Sequence, residues 1–186
     1  MNILISEVGP RDGLQSIDAI LPTSAKKTWI DAEAAAGVTE IEVGSFVPAK
    51  ILPQLADTAE LVAHARTIPG LTVAVLVPNR RGAQDAIKAG AHKITIPLSV
   101  SETHSLKNVR RSHAQMFDEV AAIAALIRDL PTDKVALELM NEPQGVCFEE
   151  DSQDWSVSQK QLYDRARSVA PDLPIVLTPG CWRSME

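Results

Sequence analysis

Short apolar runs alternate along this chain with stretches where apolar residues return every three or four positions. NILISEV (2–8) is the first run; it ends in a Gly-Pro turn and reads as a buried strand. Thr23 and Ser24 stand where caps belong, ahead of AKKTWIDAEAAAG (25–37), whose alanines favour helix and whose Gly37 offers a left-handed stop. TEIEVGSFV (39–47) is β-branched and alternating, which predicts a second strand. LADTAELVAHART (55–67) places Leu55, Leu61, Val62 and Ala65 on broadly one helical face. LTVAVLVPN (71–79), HKITIPLSV (92–100), DKVALELMN (133–141) and LPIVLT (173–178) read as four more strands. Helices are predicted over 80–90, from Ser112 onward with Met116, Val120, Ile123, Ala124 and Ile127 in phase, and over 156–170.

Strand followed by helix, repeated about six times, implies an α/β fold with a parallel sheet. Continuous apolar strands fit burial on both faces. Polar residues gather just after the strands: Arg11, Asp12 and Gln15, then Ser45, Asn79, 99–105, Asn141 and Glu142. In barrels and in open α/β sheets alike, that rim binds ligands. Glu42 differs, since it lies within the second strand and is expected to point into the mouth of the fold.

Composition narrows the function classes. The 186 residues suffice for a sizeable core, with 45% hydrophobic and 23% charged residues. A formal charge of -6 gives no electrostatic footprint for nucleic acid, so no nucleic-acid partner is expected. No apolar run approaches the roughly 18 residues of a membrane helix, and the start carries no basic leader, so no membrane partner is expected. Cys147 and Cys181 form no disulfide framework, which points to a cytoplasmic chain. Neither phosphate-binding glycine motif, G-x-G-x-x-G or G-x-x-x-x-G-K, occurs.

The stretch EVGPRDGLQ (7–15) sets an arginine beside an aspartate at a strand end. In isolation, R-D-G reads as a solvated ion pair closing a turn. Its context changes that. EVGPRDGLQ, ILPTSAK, IEVGSFVPAKILPQLAD, VAVLVPN and SETHSLKNVRRS together resemble the 3-hydroxy-3-methylglutaryl-CoA (HMG-CoA) lyases, from about residue 3 to about 129. The resemblance implies a metal-dependent (β/α)8 barrel and retro-Claisen cleavage of an acyl-CoA. It implies Asp12 as a ligand for Mg2+ or Mn2+, and Arg11 as the cation that polarises the substrate carbonyl and steadies the enolate. It places Gln15 and Ser45 at the substrate and Glu42 at the family's acidic position on strand two, where it serves either directly in catalysis or as a buried structural carboxylate. The chemistry suits these residue types. A hard cation prefers carboxylate oxygen, and arginine keeps its charge at any working pH.

The resemblance also has gaps. The family completes its metal site with a His-x-His pair, whereas the four histidines here, at 64, 92, 104 and 113, include no such pair. His104 is expected at the rim and His113 on an exposed first turn. Neither cysteine matches the family's reactive one. Beyond about 129, VALELMNEPQG and QLYDRARSVAPDLPIVLTPGCW resemble glycoside hydrolase family 5. By that resemblance Glu142 is the acid/base and Asn141 orients a sugar hydroxyl, although no second carboxylate stands in the nucleophile position.

The chain thus reads as two segments, 1–129 and 130–186, packed as one domain in a partial or rearranged TIM barrel of about six strands. The expected function is an HMG-CoA lyase-like one, catalytically incomplete, with a weakly held divalent metal and an acyl-CoA substrate. A glycosidase-like fragment and a non-catalytic chimera are the alternatives. An unclosed parallel sheet exposes its edges, so a homo-oligomer is expected.

Overall fold

Gly9 and Pro10 stop the first apolar run after a strand of two residues, Ser6–Glu7 (β1), because proline has no N–H to extend a ladder. In the computed structural model, which describes residues 4–99, 102–128, 137–138, 155–173 and 175–176, the backbone then winds through one wide π-helical turn, Gly9–Gly13. The Val8 carbonyl accepts from both Arg11 N (3.0 Å) and Asp12 N (2.7 Å), and buried Leu14 anchors the exit. Alanines carry the next helix, Thr23–Ala35 (α1), and Gly37 turns it off with a φ of 100°. The expected cap is absent. Pro22 holds the N-cap position, and the Thr23 hydroxyl donates instead to Asp57 Oδ2 at 2.8 Å.

From there the chain alternates through Glu40–Ser45 (β2), Thr58–Ala65 (α2), Thr72–Leu76 (β3), Arg80–Ala89 (α3) and Lys93–Thr95 (β4). A short 3-10 turn, Pro53–Leu55, precedes α2 and buries Leu55 with Leu61, Val62 and Ala65, the face expected from the sequence. Asn79 caps α3 by accepting from Gly82 N at 2.9 Å. The four strands form one sheet in the order β1-β2-β3-β4, every pair parallel.

Two details depart from the sequence reading. The first strand is not buried: Leu4 and Ile5 are 62% and 69% exposed, because among the described residues β1 pairs only with β2. All six residues of β2, by contrast, are buried, and the strand carries a bulge. Glu42 pairs with Ala74 and Gly44 with Val75, leaving Val43 as an extra residue. That one residue inverts the alternation, so Gly44 turns toward α2. A Cβ at Gly44 would lie 2.3 Å from Thr58 Oγ1.

These elements lie in one compact unit, Met1–Thr95; a second spans Ile96–Glu186. The second unit holds Glu102–Asn108 (α4), His113–Ile127 (α5), Leu137–Glu138 (β5), Trp155–Val169 (α6) and Ile175–Val176 (β6). α5 opens with a capping box between Ser112 and Gln115 and buries Met116, Val120, Ile123, Ala124 and Ile127, as their spacing requires. α6 packs on α5 through buried Leu162 and Ala166, and Arg165 pairs with Asp118 at 2.9 Å. β5 and β6 are parallel. Among the described residues, no helix is long and apolar enough to cross a membrane.

Candidate functional site

The turn after β1 and the middle of β2 build the site. Because β1 and β2 run parallel in register, Glu7 beside Ile41, the turn at Gly9–Gly13 comes over the C-terminal half of β2. Arg11 Nε donates to Glu42 Oε2 at 2.6 Å, and Arg11 Nη1 donates to Asp12 Oδ1 at 2.6 Å. Gln15 Nε2 donates to that same Asp12 oxygen at 2.8 Å. The side chains of Arg11, Asp12 and Glu42 are 14%, 54% and 4% exposed, so the arginine bridges a solvated carboxylate and a buried one.

Glu42 is the unusual member. Its Oε1 is buried without a hydrogen-bond partner among the described residues. A buried carboxylate oxygen left unpaired carries a large desolvation penalty, which a ligand hydroxyl or N–H would relieve. Neither carboxylate occupies Arg11 Nη2, so the guanidinium keeps one edge for another acceptor.

Four of the residues singled out in the sequence thus come together: Arg11, Asp12, Gln15 and Glu42. Ser45 lies at the end of β2, 1% exposed, and its own backbone neighbourhood uses it. Its hydroxyl accepts from Val47 N at 3.3 Å, while Thr58 Oγ1 bonds both its N–H and its carbonyl at 3.1 Å. Ser45 also lines a cavity of about 240 Å³ with Phe46, Thr58, Asn79, Gly82 and Asp85, but neither Arg11 nor Glu42 reaches it. Asn141 and Glu142 lie outside the described residues. His104 sits on α4, exposed at the surface, with Nδ1 2.6 Å from Ser99 Oγ. His113 is not the exposed residue expected; its ring is 24% exposed, with Nδ1 3.1 Å from Glu102 and the ring stacked on Phe117.

Sequence reasoning missed Lys26. It is buried to 1% on α1 and donates to Asp57 Oδ1 at 2.7 Å and to the Gln54 carbonyl at 2.5 Å. Its position one turn before the buried Ile30 was the available signal, since that spacing puts both on one helical face.

Parallel strands alternating with helices, and charged groups gathered after the strands, define an α/β protein of the barrel-forming kind. The HMGL-like family profile matches residues 2–161, and the chain belongs to that family. Hydroxymethylglutaryl-CoA lyase YngG of Bacillus subtilis is 39% identical over 113 residues, which is 61% of this chain and 38% of the relative. Among solved structures, the HMG-CoA lyase of Bacillus subtilis superposes with a TM-score of 0.70 at 28% identity, covering 94% of this chain and 57% of that one. An HMG-CoA lyase from Acinetobacter baumannii, in complex with coenzyme A and 3-methylmalate, gives 0.67 at 32% identity, covering 73% and 44%. The chain therefore spans well under two thirds of the length of these relatives. The family match runs past residue 129, where the resemblance was expected to end, and no comparison supports the glycoside hydrolase reading of 130–186.

The family resemblance implies a divalent metal. The described residues do not by themselves fit one. Asp12 Oδ1 already accepts from Arg11 and Gln15, and among the described residues no three His, Cys, Asp or Glu side chains gather as ligands.

Proposed function

We propose that the chain is built for retro-Claisen carbon–carbon cleavage of an acyl-CoA of the HMG-CoA type. The observation that carries this reading is the Arg11–Glu42 pair, with one Glu42 oxygen unpartnered and one Arg11 edge unspent among the described residues. Cleavage of a tertiary alcohol needs a base for the hydroxyl proton. Glu42 Oε1 supplies a buried acceptor, held in place by Arg11 through the other oxygen. As the carbon–carbon bond breaks, its electron pair moves onto the acetyl thioester as an enolate, and a keto acid leaves. The Arg11 guanidinium faces that developing oxygen charge without reorganising. Gln15 and Asp12 restrain the guanidinium from its other side.

Mg2+ or Mn2+ would find one carboxylate here, Asp12, and weak binding is what a single ligand provides. The chain is accordingly read as a catalytically incomplete lyase. Its location is read as cytoplasmic, from its two cysteines, and its β1 edge as a self-association surface. Sedimentation at tens of micromolar is expected to show a homo-oligomer; a clean monomer would remove that part of the reading.

Acetoacetate release from HMG-CoA with Mg2+, for the chain and for Arg11→Met, tests the function. Very slow release, lost in the variant, is the expected result. Robust release abolished by Arg11→Met would mean that groups outside the described residues complete the site. Release unaffected by the substitution would end the proposal.

A further inference from the structure

Among the described residues, Lys26 is the most deeply buried charged side chain. Its neighbourhood includes the buried Ile30 and Leu55, where an apolar residue would avoid the desolvation cost of an ammonium. Its bonds show what the charge does. Nζ donates to Asp57 Oδ1 at 2.7 Å and to the Gln54 carbonyl at 2.5 Å, both in the connection between β2 and α2. Asp57 Oδ2 accepts from Thr23 at 2.8 Å, which closes the clasp on the first turn of α1. The Gln54 side chain then reaches back across, donating from Nε2 to the Ile17 carbonyl at 2.6 Å.

Ile17 stands two positions beyond Gln15, whose amide holds Asp12, and one beyond Ser16, whose hydroxyl donates to the Asp12 carbonyl at 3.0 Å. Hydrogen bonds therefore run from α1 through the β2–α2 connection to Ile17, and the short backbone stretch from Ile17 to Gln15 joins them to the bonds at the back of the turn carrying Arg11 and Asp12.

We propose that Lys26 is a positioning residue: through Asp57 and Gln54 it fastens the loop after β1 to the loop after β2, and so sets how Arg11 meets Glu42. The proposal rests on reading that turn as the substrate end of the site. A buried ion pair contributes little net stability, but it tolerates few geometries, since an ammonium out of place leaves Asp57 and the Gln54 carbonyl unpaired. The pair therefore sets loop alignment, over and above what its breakage costs the fold as a whole.

Amide hydrogen exchange tests this without any turnover, so it stands apart from the failure or success of the acyl-CoA reading. The amides of Arg11, Asp12 and Ser16 are bonded within the turn and report its opening; those of the β2–β3 ladder report the sheet. In Gln54→Ala the turn amides are expected to exchange about tenfold faster while the ladder amides keep their rates; in Lys26→Met, which also strands Asp57, the turn amides are expected to accelerate more than the ladder amides. Lys26→Arg, which retains the donors, is expected to restore most of the protection. Gln54→Ala removes only the bond to Ile17, so it decides the matter even if Lys26→Met does not fold. Unchanged turn amides in folded Gln54→Ala would overturn the proposal. So would acceleration shared equally by turn and ladder, which is the signature of a merely stabilising residue.

Discussion

Arg11 Nε meets Glu42 Oε2 at 2.6 Å across 31 positions of sequence, and the other Glu42 oxygen is buried with no partner among the described residues. The pair joins a rim turn to the middle of a strand, so it is both a structural contact and the centre of the proposed site. Its two roles separate under substitution.

Removing the arginine alone strands a buried carboxylate. Arg11→Met is expected to lower stability by about 3 kcal/mol, in the range for breaking one side of a buried pair. Arg11→Met with Glu42→Leu is expected to recover most of that loss, because no buried charge is then left unpaired and Asp12 stays solvated. Urea denaturation of the two variants provides the comparison; a double variant no more stable than the single one would mean that the pair is not the source of the cost.

Gly44 tests the packing behind β2. An added Cβ would meet Thr58 Oγ1 at 2.3 Å and Thr58 Cγ2 at 2.9 Å. Thr58 cannot simply swing aside, since its hydroxyl also donates to the Leu55 carbonyl at 2.7 Å. Gly44→Ala is expected to cost about 1–3 kcal/mol. Gly13→Ala, with nothing within 4 Å of the new methyl, is expected to stay within about 0.5 kcal/mol of the parent.

Acid is expected to weaken the fold through His92. Its Nδ1 accepts from Val73 N–H at 3.1 Å, which requires an unprotonated nitrogen. Desolvation of the ring, and after it the charge of Arg66, lowers the pKa from the ordinary 6.5, with a backbone hydrogen bond at Leu71 opposing. The unfolded chain therefore takes up this proton at a higher pH than the folded one. The contribution is complete above about pH 6.5 and is lost as pH falls from there through the lower folded-state value. Melting temperatures recorded downward from about pH 8 to about pH 5 should decline less in His92→Gln than in the parent.

Divalent metal is expected to bind weakly. Mn2+ should associate no more tightly than about 10⁻⁴ M, because Asp12 offers an oxygen that two donors already hold. Enhancement of water-proton relaxation on Mn2+ titration measures this, and Asp12→Asn should abolish it. Tight binding that survives the substitution would place the metal at other residues.

Much of the architecture could be read from the sequence, and the reasons are local. Gly37 and Gly90, with φ of 100° and 88°, end helices where glycine permits the left-handed backbone, and Ser112 with Gln115 writes the start of α5 directly into the chain. The errors come where distant groups decide. Thr23 resembles a cap, but a carboxylate 34 positions away takes its hydroxyl. The first strand is apolar enough to be buried, yet its burial depends on what pairs with its second edge. α4 went unrecognised because ETHSLKN has no apolar period to announce it. At the site, each charged residue was visible singly. That Arg11 lies on Glu42, and that Lys26 ties the two loops, follows from register and from side-chain reach, neither of which composition or spacing encodes.

The unpaired Val43 has a consequence for how such strands could be shuffled between genes. Residues before it and after it keep opposite phase, like two threads offset by one stitch. A recombination joint within the strand stays in step only if Gly44 still follows Glu42 in the ladder, with nothing paired between them. A ladder that paired Val43 instead would carry Gly44 to the face now held by Glu42 and set the Val43 side chain against Thr58. Position 43 is thus a phase mark, and it confines viable crossovers to the loops on either side of the second strand.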